Sequence, residues 1–294
     1  WNPCPYFLSK ALFNRMSQII VAGRSLAPRS RYPFGLESVP DDLAYRVLHF
    51  AARHPSLVMT NNSSAGCADY ADWLGLSADT VFLTPNLIHG EQWPVPEAEE
   101  VPRLRRSLGI PEQAPVIGGL FRFSAIKNPE LWIQAVSLVL DKHPKACAVL
   151  GGDGGLWSEA KKVVSESPLA GRLLLPGPIR VTSAFYHMCS AFLLTSHVEG
   201  LPNVVLEAQY NGLPVVSTPA GGVVDIIRDK TTGFIVHNAN AAELAARLNY
   251  ILNNPGWGKK AGREAHEFVA RAFSEENSYR KLAEVYESLQ IDLQ

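Results

Sequence analysis

Two glutamates eight positions apart, Glu199 and Glu207, bracket the run Glu-Gly-Leu-Pro-Asn-Val-Val-Leu-Glu. An ionised carboxylate only accepts hydrogen bonds, and the paired hydroxyls of a polyol suit it well. Glu199 follows a short apolar run, Ala191 to Thr195, and Glu207 falls about one turn into a helix predicted from Asn203 to Asn211. The free N–H groups at such a helix start attract an anion, and the helix dipole strengthens the attraction. Gly200 lets a ligand come close to the backbone. One glutamate before the turn and one inside the helix can hold two different polyols with an anion between them. Taken alone, two glutamates at this spacing are more often surface residues than a site. Arg122 and Lys127 form a second candidate, just after the apolar run Val116 to Phe121 with its Gly118-Gly119. A planar guanidinium fork and a mobile ammonium on one loop suit a diphosphate; an exposed basic pair is the plain alternative. Glycine turns, Gly151-Gly152-Asp153-Gly154-Gly155 and Ala220-Gly221-Gly222, make a third group. Neither fits the G-x-G-x-x-G fingerprint, which argues against a nicotinamide dinucleotide.

The elements that must position these residues alternate. Strands are predicted at 116–121, 146–150, 173–175, 191–195, 214–217 and 234–236, with helices at 128–143, 157–166, 182–188, 203–211 and 223–228 between them. Three more helices are predicted at 241–253, 257–272 and 275–289. This alternation implies βαβ units and a parallel sheet, whose ligands bind at the carboxyl ends of the strands. All three candidate groups fall there. Residues 1–95 alternate too, with strands at 18–22, 57–60 and 81–83 and helices at 43–53 and 65–74. That is short for a complete doubly wound domain. Pro94, Pro96 and Pro102, mixed with Glu97, Glu99 and Glu100, read as a linker, and the boundary is placed between Gln92 and Pro115.

Composition narrows the classes. Lys plus Arg total 27 against 28 for Asp plus Glu, which argues against a protein built to grip nucleic-acid phosphates. The longest charge-free window, Val181 to Val198, carries too many polar groups for a bilayer span, and no stretch reads as a signal peptide. Cys4, Cys67, Cys147 and Cys189 stand far apart without metal-ligand spacing, so reduced thiols and a cytoplasmic setting are expected.

Taken together, these residues resemble the donor-binding half of a retaining glycosyltransferase of family 4 (glycosyltransferase group 1), with the GT-B fold. The most specific part is the Glu-x7-Glu block, EGLPNVVLEA. It is joined by Gly119, Arg122 and Lys127, by Gly152-Asp153-Gly154, by Thr218, Gly221, Gly222, Thr232 and Gly233, and by Pro85-Asn86. The resemblance implies two Rossmann-like domains with parallel sheets: a partial acceptor-side domain over 1–97, a donor-binding domain over 98–273, and a last helix, 274–294, crossing back to the first. Because the chain opens on Trp1 and no glycine-rich loop is found near its start, the first domain is expected to be truncated.

The resemblance also implies roles. Arg122 and Lys127 bind the donor diphosphate and stabilise charge on the leaving phosphate, and Glu199 holds donor-sugar hydroxyls. Backbone N–H groups at Gly200, Leu201, Asn203 and Val204 contact sugar and phosphate, and Glu207 takes the ribose hydroxyls. The loop from Gly177 to Arg180, with Ile179, packs on the base, and Gly119 and Gly152 join the donor site. No metal and no cofactor is expected; the co-substrate is a nucleoside-diphosphate sugar, most often UDP-linked in this family. The transferred group is a hexose or N-acetylhexosamine, and the acceptor a glycan, a lipid-linked sugar or a small molecule. Departures stand out. Pro202 lacks an N–H, and Leu87 and His89 replace the family's usual Gly and Asp. Arg24 or Ser25 stands where the family often has a first-domain histidine. His197, two residues before Glu199, is placed to line the cleft. Lys10, Arg15, Arg24, Arg29, Arg31, Arg46 and Arg53, with Trp1, Tyr6, Phe7 and Phe13, could face an anionic lipid or an acceptor phosphate, although solvated helix faces and core aromatics are the better explanation. The rival readings are a sugar-nucleotide epimerase on the same fold and a nucleotide-sugar binding pseudoenzyme or fragment.

Overall fold

Val116–Leu120 is a run of five residues buried along its whole length, the mark of a strand covered on both faces. The computed structural model, which describes residues 19–27, 41–55 and 57–288, places it as β4 near the centre of a six-stranded parallel sheet. The other strands are β5 (Cys147–Gly151), β6 (Leu173–Gly177), β7 (Ala191–Leu194), β8 (Val215–Ser217) and β9 (Gly233–Ile235), in the spatial order β6-β5-β4-β7-β8-β9. The chain therefore runs outward from β4 to β6 and returns to build the other side from β7. β4 and β7 are neighbours, with Ile117 opposite Ala191 and Gly118 opposite Phe192. The reversal between them opens a crevice at their carboxyl ends, the usual ligand position in such sheets.

Helices cover both faces: α4 (Pro129–Lys142), α5 (Trp157–Ser165), α6 (Thr182–Met188), α7 (Asn203–Tyr210), α8 (Val223–Ile226) and α9 (Ala241–Asn253). Trp132 on α4 is fully buried and donates from Nε1 to the Leu193 carbonyl at 3.1 Å. Gly119 makes room for it, because a Cβ there would stand 2.6 Å from that nitrogen. Two more helices follow, α10 (Pro255–Ala272) and α11 (Glu275–Ser288).

A separate parallel sheet, ordered β1-β2-β3, comprises β1 (Ile19–Gly23), β2 (Leu57–Asn61) and β3 (Val81–Leu83), with α1 (Asp41–Ala51) and α2 (Ser64–Leu74) between them. It has its own core, including Leu48, Met59, Trp73 and Leu74. At the carboxyl end of β2 the buried residues turn polar: Thr60, Asn61, Asn62 and Ser63. Buried polar groups need partners. Asn61 donates to the Ser25 carbonyl at 3.0 Å, and Ser63 caps α2 by accepting from the Gly66 N–H at 3.0 Å.

The segment expected to be an irregular linker contains a helix, α3 (Glu100–Ser107). Pro102 sits in its first turn, where no intrahelical donor is lost. Glu100 lies at the start and Arg105 and Arg106 at the end, matching the helix dipole. Arg105 then ties the helix down by donating to the carbonyls of Pro111 and Met188, both at 2.9 Å. The other predicted elements appear within two residues of their expected ends. Cys67, Cys147 and Cys189 are free thiols, and burial pushes the Cys67 thiol up to about 11. Cys4, Lys10, Arg15, Arg29, Arg31 and the aromatics Trp1, Tyr6, Phe7 and Phe13 lie outside the described residues, as do the last six residues of 274–294. Among the described residues no helix is long and apolar enough to cross a membrane.

Candidate functional site

The loop after β4 keeps the alternation of the strand. Phe121 and Phe123 turn inward and are buried, so Arg122 between them points out. Arg122 has no hydrogen-bond or ion-pair partner among the described residues. The loop leans on the glycine turn after β5: Phe121 donates to the Gly151 carbonyl at 3.2 Å, and Phe123 to that of Asp153 at 2.7 Å. At Gly152 φ is +132°, and a Cβ would lie 2.0 Å from the Phe121 carbonyl oxygen. Only glycine permits both. The turn expected at a ligand thus serves as the backing of the Arg122 loop.

The same loop continues as a short 3-10 turn, Ala125–Lys127, and ends at Asn128, which caps α4 by accepting from the Leu131 N–H at 3.2 Å. Thr195, at the end of β7, lies within donating distance of the Lys127 and Asn128 carbonyls, at 3.1 and 3.0 Å. The His197 N–H donates to the Ile126 carbonyl at 2.8 Å. These bonds stitch the two loops that flank the crevice and bring their charged side chains together. Lys127 Nζ lies 2.5 Å from Glu199 Oε1, and Ser196 Oγ donates to the same oxygen at 2.6 Å. Glu199 is 9% exposed. Its Oε2 is uncommitted among the described residues. The His197 side chain is exposed, and partial burial lowers its pKa.

Beyond Glu199 the chain turns through Gly200, Leu201 and Pro202 into α7. Pro202 is the N-cap, and its carbonyl accepts from Val205 at 3.0 Å. Asn203 and Val204 open the helix, where backbone N–H groups have no intrahelical acceptor. Glu207 lies four residues on, about 6 Å along the axis. It is half-buried and accepts from the Tyr186 hydroxyl at 2.7 Å through Oε2. Burial raises the Glu207 carboxyl above the ordinary range, and the bond from Tyr186 opposes that rise. On the other side of the crevice, Ile179 packs against Gly151 and Arg180 is exposed. Of the predicted site residues, Lys127 and Glu199 meet directly, Arg122 shares the loop of Lys127, and Gly200, Leu201, Asn203, Val204 and Glu207 follow Glu199 in one turn and helix. Gly119 stands apart, inside β4 beneath Trp132.

The first sheet closes over this loop. A Cβ at Gly200 would lie 2.4 Å from the Arg24 carbonyl oxygen and 2.8 Å from Asn62 Oδ1. What comes close to Gly200 is therefore the end of β1 and β2. Asn86 bridges the two halves. Its Oδ1 accepts from Arg24 at 3.0 Å, and its Nδ2 donates to Asn203 Oδ1 at 2.6 Å and to the Leu201 carbonyl at 3.3 Å. Asp225 accepts from the Ser64 N–H at 2.7 Å and from the Ser64 hydroxyl, so a carboxylate sits at the start of α2. Ile88 donates to the Phe273 carbonyl at 2.9 Å, and His89 pairs with Glu275. The sequence reading missed Ser196, Thr195, Tyr186, Asn62 and Asp225. The polar pair Thr195-Ser196 at a strand end was a usable signal; the others look like ordinary helix and loop residues until the fold brings them together.

Among the described residues no three His, Cys, Asp or Glu side chains converge. The family model described as "Glycosyl transferases group 1" matches residues 100–272, more than half of the chain. A curated relative, "Vi polysaccharide biosynthesis protein VipC/TviE" of Salmonella typhi, is 33% identical over 232 residues, covering 76% of this chain and 39% of its own length. A "D-inositol 3-phosphate glycosyltransferase" of Corynebacterium urealyticum is 30% identical over 194 residues, covering 63% and 46%. The chain thus spans less than half the length of both. Among solved structures, Anabaena HepE in complex with UDP matches with a TM-score of 0.83 at 19% identity, covering 97% of this chain and 76% of that one. The same protein with UDP-glucose gives 0.81 at 20% identity, covering 96% and 75%. The shared fold is GT-B: two α/β units with parallel sheets facing across a cleft.

Proposed function

The chain belongs to the group 1 glycosyl transferases, and from that membership we propose that it is a retaining, family 4 enzyme. It transfers a hexose or N-acetylhexosamine from a nucleoside-diphosphate sugar, UDP-linked, to a glycan, lipid-linked or small-molecule acceptor. The observation that carries this reading is the Lys127–Glu199 pair at 2.5 Å, held at the crevice between β4 and β7 and followed by the open start of α7. The UDP and UDP-glucose complexes of the HepE neighbour and the names of the relatives support the donor class and a role in polysaccharide synthesis.

In this reading the donor diphosphate lies between Arg122, Lys127 and the first N–H groups of α7. Both cations stand where negative charge grows on the leaving phosphate, a site that is most effective when preorganised and dry. Glu199 turns its carboxylate to the hydroxyls of the donor sugar, Glu207 takes the ribose, and Ile179 and Arg180 flank the base. The catalytic set is Arg122, Lys127 and Glu199, and no metal is called for. Residues 1–97 form the acceptor side, 98–273 the donor domain, and 274–294 the return to the first domain; the two bonds from Ile88 and His89 support that return. A cytoplasmic setting at the inner membrane surface suits a lipid-linked acceptor.

Calorimetric titration of this chain with UDP, GDP and ADP tests the reading. UDP is expected to bind, and Arg122→Ala combined with Lys127→Ala to abolish the binding. A donor that binds without transfer to any acceptor points to the pseudoenzyme alternative; product with inverted anomeric configuration, read by NMR, refutes retention.

A further inference from the structure

We propose that Tyr186 is a positioning residue for donor recognition: its hydroxyl fixes the orientation of Glu207 and thereby sets the discrimination for an intact ribose. The inference rests on the ribose role of Glu207 given above and adds a residue from a different element.

Tyr186 lies on α6, twenty-one positions before Glu207 in the chain, and is fully buried. Three rings confine its own. Phe185, Phe192 and Trp93 have centroids 5.7, 5.8 and 5.8 Å away. A phenol so confined has one way to point its hydroxyl, and it points to Glu207 Oε2 at 2.7 Å. The last torsion of a glutamate side chain is soft and broad. A carboxylate that must meet two adjacent hydroxyls therefore loses orientational freedom on binding unless something fixes it beforehand. The Tyr186 bond does this while using one of about four acceptor positions, so among the described residues Oε1 and the remaining lone pair of Oε2 stay open. It has a second effect. Burial favours the neutral carboxyl, which would present a proton where an acceptor is needed, and the Tyr186 bond pulls the other way.

The experiment compares calorimetric binding of UDP and 2′,3′-dideoxy-UDP to the wild-type chain, to Tyr186→Phe and to Glu207→Gln. Phenylalanine keeps the ring and its three aromatic neighbours. Wild type is expected to favour UDP by roughly tenfold or more, the worth of hydroxyls met by a built acceptor. Tyr186→Phe is expected to shrink that ratio by about fivefold, through weaker UDP binding alone, with dideoxy-UDP affinity unchanged; with donor sugar, KM rises and kcat holds. An undiminished ratio in Tyr186→Phe overturns the assignment. So does an equal loss for both nucleotides, which is what a merely structural tyrosine gives. Failure of the chain to bind UDP, or a Glu207→Gln chain that still tells the two nucleotides apart, overturns the nucleotide reading itself and this inference with it.

Discussion

Lys127 and Glu199 are each other's partner, so in the proposed function donor entry is an exchange of partners: Lys127 passes to phosphate oxygen and Glu199 to sugar hydroxyls. The bond from Ser196 to Glu199 does not involve the ammonium, so under the same proposal it steadies the carboxylate while Lys127 leaves. Removing either partner strands the other in a largely buried place, which costs more than the pair itself contributes. Lys127→Ala and Glu199→Ala are therefore both expected to lower turnover by roughly 10²-fold, the usual loss for one electrostatic contact to a transition state. Steady-state rates with a UDP-sugar check this, and wild-type rates in either variant refute the assignment. Arg122, which has no partner to strand among the described residues, is expected to act on donor affinity as well as on rate.

At the scale of elements, the sequence was most readable where one physical rule dominates. The wholly apolar runs of β4, β5 and β7 can be little else than covered strands, and the Glu-x7-Glu spacing needs only the turn between β7 and α7. The helix Glu100–Ser107 is hidden in the sequence because Pro102 and Glu100 continue the run of prolines and glutamates before it, which reads as a linker; charge placement at its two ends and the bonds of Arg105 decide the matter, and the latter are tertiary. Glycines carry a packing role that spacing alone does not show: where a Cβ would stand at Gly152 and Gly200, the Phe121 and Arg24 carbonyls occupy the space. Gly221 belongs with them: its φ is +50°, and a Cβ would lie 2.1 Å from the Glu199 carbonyl oxygen. Gly221→Ala is expected to cost roughly 1–3 kcal/mol and to lower activity by displacing Glu199. Gly256, in the first turn of α10 with open space around it, gives the opposite expectation, since alanine at a compatible helical position gains about 0.4–1 kcal/mol by restricting the unfolded chain. Paired thermal melts of the two variants separate local conflict from general intolerance of substitution.

At the scale of the whole molecule, the two units meet through a small polar seam. Asp225 on α8 faces Ser64 at the start of α2, and Asn86 joins Arg24 to Asn203. Asp225→Ala removes both bonds to Ser64, and with them the negative charge favoured at a helix start. It is expected to lower the protection of the Ser64 amide by about 1 kcal/mol in hydrogen exchange, while the amides of β2 keep theirs; unchanged exchange at Ser64 means that the seam does not form in solution. The glycines of this seam have a consequence for engineering. At Gly200 the absent side chain makes room for the Arg24 carbonyl, and at Gly222 for Ser63 and the Gly200 carbonyl. The contour of the Gly200 loop is thus cut to fit a particular neighbour. Chimeras that graft the six-stranded unit onto a foreign first unit will inherit a gap wherever the new partner lacks a close carbonyl or a serine. Segments 24–25, 61–64 and 85–86 should therefore travel with the six-stranded unit, although all of them precede it in sequence.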